Sequence, residues 1–119
     1  MELGWFEVSL DVKDIAKSVA FYRTLGFEIV DDSIERNVTL QKGDCRLSLY
    51  QGYLQPPRTQ FIFWQGDVEA IARDLTAKGL SFESGPRSDE KGMGAMLFDP
   101  DGTPLYFVNI RGVVRKDPA

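Results

Sequence analysis

The sequence predicts an α+β domain built from two tandem βαβββ modules. They are expected to form a curved, mostly antiparallel sheet with the helices on its convex face. Three observations predict it. The hydrophobic period switches from two to 3.6 and back twice along the chain, each helix-like stretch opens on Asp and closes on Gly, and the two copies keep one spacing. Asp67, Val68, Leu75 and Gly79 each fall 53 residues after Asp14, Ile15, Tyr22 and Gly26. A repeat of this length marks two equivalent supersecondary units.

From Trp5 to Val12 residues alternate, with Phe6, Val8, Leu10 and Val12 on one face and Trp5, Glu7, Ser9 and Asp11 on the other. That is a half-buried strand. Ile15, Ser18, Val19, Tyr22 and Leu25 then form one helical stripe. Asp14 is placed as its N-cap, and Gly26 as its left-handed stop. Gln60–Trp64 repeats the strand; Asp67 then caps a helix with Val68, Ile71, Ala72 and Leu75 inward, ended by Gly79. Three strand-like runs follow each helix: Phe27–Asp31, Ile34–Gln41 and Asp44–Gln51 in the first copy, Leu80–Gly85, Gly94–Asp99 and Thr103–Ile110 in the second. Lys42-Gly43-Asp44 and Asp99-Pro100-Asp101-Gly102 carry turn chemistry. The Gly92-Met93-Gly94 stretch reads as the flexible entry of a loop. The expected organisation is one domain over 1–119, with module one at about 4–51, a stiff Pro56-Pro57 linker at 52–58, module two at about 59–110 and a tail at 111–119.

Composition narrows the chemistry. The 119 residues hold 14 Lys+Arg against 18 Asp+Glu, a formal charge of −4, which argues against nucleic acid or an anionic membrane as partner. Histidine is absent. No Ser-His-Asp triad, Cys-His pair or His-based metal site can be built from this chain. Cys45 is the single cysteine and is expected to be a small buried core residue. The N-terminus lacks a basic segment followed by an apolar run, and no apolar stretch approaches membrane-spanning length, so a cytoplasmic protein is expected.

Ser18-x-x-Phe21-Tyr22-x-x-Leu25-Gly26-Phe27 after a capped strand, Asp67-Val68, and Phe98-Asp99-Pro100-Asp101-Gly102 form a specific combination. With the paired modules it resembles the vicinal-oxygen-chelate superfamily, which includes glyoxalase I, extradiol dioxygenases and the bleomycin-resistance proteins. The resemblance covers the chain up to Arg111. In metal-using members, the resemblance implies, ligands come from His near the start of each module and Glu near its end. Carried over one by one, those positions hold Glu7, Gln60, Ser48 and Tyr106 here. Glu7 alone is a good hard-metal ligand, so no metal and no cofactor are expected, and metal-dependent glyoxalase or dioxygenase activity is not expected either.

Alternation adds the neighbours of those four on the same face. The expected ligand-binding set is Trp5, Glu7, Arg46, Ser48, Tyr50, Gln60, Ile62, Trp64 and Tyr106. The aromatic rings offer flat surfaces to an aromatic or cationic ligand. The same rings would equally plug an empty cleft or a dimer interface. Glu7 is a candidate general base, although a solvated or Arg46-paired carboxylate is the simpler expectation. The leading reading is a metal-free small-molecule-binding protein that acts by sequestration, as the antibiotic-resistance branch implies, with a homodimer implied by resemblance. The alternative is a lyase, isomerase or dioxygenase using Glu7 with a metal or as a base.

Overall fold

The computed structural model describes residues 1–52, 54 and 59–117. The described residues form eight strands, parallel and antiparallel, and two helices, an α+β fold. The chain divides into two compact units. The first comprises Glu7–Thr59 and the tail from Arg115; the second comprises Met1–Phe6 and Gln60–Val114. Of the linker expected at 52–58, all but Gly52 and Leu54 lies outside the described residues.

The opening strand β1 (Gly4–Asp11) contributes its first three residues to the second unit and the rest to the first. In the first unit, α1 (Ile15–Thr24) is followed by β2 (Glu28–Ile34), β3 (Asn37–Lys42) and β4 (Cys45–Tyr50). Their order is β2-β3-β4-β1, antiparallel except for the parallel β1–β4 pair. The Asp14 side chain accepts from the Lys17 amide at 3.2 Å, and Gly26 closes the helix at φ +99° with its amide on Arg23 O at 2.9 Å. Only glycine reaches that φ without a Cβ penalty.

In the second unit, β5 (Thr59–Gln65) leads into α2 (Val68–Ala77), then β6 (Ser84–Ser88), β7 (Gly92–Phe98) and β8 (Pro104–Ile110). The order is β5-β8-β7-β6, with a parallel β5–β8 pair. Asp67 repeats the N-cap with a 3.1 Å bond from Ala70 N, and Gly79 repeats the stop at φ +97°. Helix α2 buries Val68, Ile71 and Ala72. Ile71, Leu97 and Phe107 form the core, with Phe63, Leu75, Phe82 and Leu105 packed around it.

Several expectations need correction. Cys45 is exposed, because it opens β4 at the Gly43–Asp44 hairpin turn opposite exposed Lys42. Ile34 ends β2 instead of opening β3, since the chain turns at Glu35–Arg36 with Arg36 at φ +58°. The strand expected at Leu80–Gly85 runs over Ser84–Ser88: Leu80 still bonds back to Leu75 O at 3.0 Å, and the chain then delivers Phe82 to the core before pairing. Gly92-Met93-Gly94 lies in strand β7 and is no loop entry. A Cβ at Gly92 would sit 1.9 Å from Asn109 O, so glycine permits the close approach of β7 to β8.

Candidate functional site

In the first unit the register sets Ser9 and Thr39 on either side of Ser48, and Gln41 beside Arg46. Among its described residues the buried polar side chains are Glu7, Ser9, Asn37, Thr39, Gln41, Arg46 and Ser48. All but Ser9, whose hydroxyl has no partner among the described residues, bond to one another, as buried polar groups usually do. Arg46 Nε donates to Glu7 Oε2 at 3.1 Å and Arg46 NH1 to Gln41 Oε1. Asn37 Nδ2 donates to Ser48 Oγ at 2.9 Å and to Leu49 O at 3.0 Å, and the Thr39 and Ser48 hydroxyls lie 3.2 Å apart. Glu7 is thus the Arg46-paired carboxylate that the simpler expectation described.

Tyr50 continues this row. Burial pushes its phenol above the usual value of 10.0; a hydrogen bond with Ser48 pulls it back, the Glu7 charge raises it again, and Ser9 lowers it slightly. A phenol whose folded pKa exceeds its unfolded one keeps its full contribution below pH 10.0 and loses it as pH rises through the higher folded value. Unfolding followed from pH 9 to about 11.5 is therefore expected to show falling stability, and Tyr50→Phe to flatten that slope. An equal slope in the variant would assign the effect elsewhere.

The remaining expected residues, Trp5, Gln60, Ile62, Trp64 and Tyr106, belong to the second unit. Trp5 and Trp64 stack at 6.2 Å and 20°, and neither buried indole N–H has an acceptor among the described residues. Ile62 pairs in register with Tyr106, and Tyr106 with Met96. Tyr106 borders a cavity of about 250 Å³ with Ser84, Arg87, Met96 and Val108. A neighbouring cavity of about 210 Å³ shares Arg87, Asp89, Gly94 and Val108 and adds Lys91. Asp89 is committed to its own turn, accepting from Lys91 N at 2.8 Å and Gly92 N at 3.1 Å; these backbone bonds hold its carboxyl below the usual range. A larger depression of about 530 Å³ lies against α2, lined by Glu69, Ala72, Arg73, Thr76 and Pro86, and holds none of the expected residues.

Sequence reasoning missed Asn37, Thr39 and Gln41, although their alternation with Val38 and Leu40 was a usable signal. It also missed Arg87, which lies beyond the strand expected at Leu80–Gly85, and Ser84 and Met96, which lie in expected strands but are paired with each other only by the β6–β7 register.

The family model for the glyoxalase/bleomycin resistance protein/dioxygenase superfamily matches residues 4–107. The chain belongs to this superfamily. An uncharacterized protein of Mycolicibacterium smegmatis is 28% identical over 102 residues, 84% of this chain and 88% of the relative. Among solved structures, a superfamily member from Vibrio splendidus 12B01 aligns at TM-score 0.62 and 21% identity, covering 87% of this chain and 97% of that one. An NAD-dependent benzaldehyde dehydrogenase structure from Legionella pneumophila aligns at TM-score 0.68 and 23% identity, covering 89% and 99%. At these identities the likeness shows the fold alone.

The side chains at the four positions that the resemblance maps onto metal ligands do not fit a divalent metal. Glu7 is salt-bridged to a guanidinium 3.1 Å away, whose charge opposes a second cation. Ser48 Oγ already accepts from Asn37. Gln60 and Tyr106 offer an amide and a phenol, both poor ligands for a divalent metal. Among the described residues no group of three or more His, Cys, Asp or Glu side chains gathers. The described residues also include no helix long and apolar enough to cross a membrane.

Proposed function

We propose that this superfamily member binds a small aromatic molecule without a metal, on the strand face of the second unit beside Tyr106. The adjoining cavities of about 250 and 210 Å³ carry this reading, because they combine apolar walls from Met96 and Val108 with a few polar groups. Concave sites with that mixture are where small ligands bind. Of the two ligand chemistries expected from sequence, the aromatic one is favoured over the cationic one. Arg87 and Lys91 line the cavities, and the nearby Asp89 carboxylate is already used by backbone amides. Sequestration needs no reacting group, and the salt-bridged Glu7 supplies no free base.

The same reading takes the protein as a cytoplasmic homodimer with no membrane or nucleic-acid partner. Exposed Phe21 and Leu25 of the first unit support a partner surface, and sedimentation analysis tests the dimer.

Calorimetric titration with a panel of aromatic acids, benzoate and naphthoates first, tests the site. At least one is expected to bind saturably, with an unchanged Kd in excess EDTA. Tyr106→Ala is expected to weaken it about five- to tenfold, the loss of one ring contact. Binding abolished by EDTA, or indifferent to Tyr106→Ala, would reject the metal-free aromatic site.

A further inference from the structure

We infer that the first unit carries a second ligand site, for a peptide-like acid, which the chain's own C-terminal segment fills. The site is independent of the cavities beside Tyr106. Its floor is the buried row Glu7, Gln41 and Arg46, each more than nine-tenths removed from solvent. Within that row two donors have work that the sheet does not absorb. Arg46 NH1, besides meeting Gln41 Oε1, donates to the backbone oxygen of Lys116 at 2.8 Å. Gln41 Nε2, besides reaching Gly43 O at 3.0 Å, meets Asp117 Oδ1 at 3.3 Å. Both acceptors come from the tail, 70 and 76 residues further along the chain.

Two properties identify the tail as an occupant and not a structural element. Residues 113–117 adopt no helix or strand, and Arg115, Lys116 and Asp117 are exposed, so the segment buries little surface of its own. Val113 anchors the segment's start, accepting from Gln65 Nε2 at 2.8 Å and donating to Ile110 O at 3.2 Å; beyond it the remaining ties are the Lys116–Asp31 ion pair at 3.2 Å and the internal Arg115–Asp117 ion pair at 2.8 Å. Both are solvent-accessible ion pairs, which contribute little. A segment with few apolar contacts and weak exposed ties opens at low cost. The buried donors beneath it do not relax so easily, because an arginine N–H removed from water keeps its need for an acceptor.

The occupant also states the chemistry of what can replace it. A ligand must present a carbonyl or carboxylate oxygen to Arg46 and an acidic group to the Gln41 amide about one residue away. A short peptide ending in an acidic residue, or a small amide-linked acid, meets both demands. While the tail is down it competes at the effective concentration set by its short tether, on the order of millimolar.

The test compares the full chain with one ending at Val114, using the peptide Val-Val-Arg-Lys-Asp-Pro-Ala as the probe and the Arg46 Nε–H resonance as the readout. The shortened chain is expected to show a saturable shift below about 1 mM peptide, and the full chain to need at least about twofold more. No saturable shift in the shortened chain, or equal shifts in both, would overturn the inference. Should the shortened chain not fold, Gln41→Glu in the full chain decides. That change keeps an acceptor for Arg46 but removes the amide donor and repels Asp117. Tryptic cleavage after Arg115 is then expected to be at least fivefold faster than in the parent, and an unchanged rate would overturn the inference. Neither readout involves Tyr106 or an aromatic acid, so this proposal and the aromatic site stand or fall separately.

Discussion

Arg46→Met is expected to lower the unfolding free energy by about 3–5 kcal/mol, the usual cost of leaving a buried charge without its partner. The Glu7 carboxylate is 5% exposed, and the Arg46 guanidinium is its 3.1 Å counter-ion. Removing the guanidinium also takes the donor away from Gln41 Oε1 and from Lys116 O. Methionine fills the volume, so the loss reports charge and hydrogen bonding more than a cavity. Urea unfolding measures it, provided the denaturant slope stays constant. The double variant Glu7→Gln, Arg46→Met supplies the decisive comparison. Neutralising the stranded carboxylate is expected to recover part of the loss, so the double variant should be more stable than Arg46→Met alone. A double variant that is less stable would mean that Glu7 does not depend on Arg46.

This salt bridge also shows how far a sequence reading of the family's ligand positions can go. Alternation places Glu7 and Arg46 on one face only with the help of the family resemblance, which sets Glu7 and Ser48 on the same side of the sheet. That they meet depends on β1 running parallel to β4, with Ser9 opposite Ser48. Register of that kind follows from long-range pairing, which local periodicity does not encode. Alternation puts Asn37, Thr39 and Gln41 on one face of their strand, but that this face completes the network depends on β3 lying against β4. The helices were legible because their signals are local. Asp14 and Asp67 cap within three residues of themselves, and Gly26 and Gly79 stop the helix through their own backbone φ. Trp5 and Trp64 sit between these cases. Their residue type announces a surface for a ring, but the ring each one faces is the other's. The tail was illegible altogether, because nothing in Arg115–Asp117 states that Arg46 waits for a carbonyl oxygen.

Phe107→Ala is the other large effect expected, a loss of about 3–5 kcal/mol from cavity formation in the second unit. Phe107 is 2% exposed, stacks on Phe63 at 5.3 Å and 9°, and meets Phe82 at 6.0 Å under α2. The sequence pattern assigns Phe6 to an apolar strand face, yet Phe6 is 43% exposed and meets Phe61 and Phe63 at tilted angles of 54° and 45°. Phe6→Ala removes the same atoms, much of whose surface is already in water, so its cost is expected to be under half that of Phe107→Ala. Urea unfolding of both variants measures the ratio, and equal losses would contradict the burial described here. The comparison reaches the proposed site as well. Phe107 and Tyr106 are adjacent on β8 and point to opposite faces, so the packing that fixes Phe107 also fixes the backbone that presents Tyr106. Phe107→Leu, which keeps most of the volume, is accordingly expected to retain aromatic-acid binding, while Tyr106→Ala loses binding and keeps the fold. A Phe107→Leu protein that stays folded but no longer binds would show that the ligand contacts the core side of the strand, and the cavity beside Tyr106 would then be the wrong address.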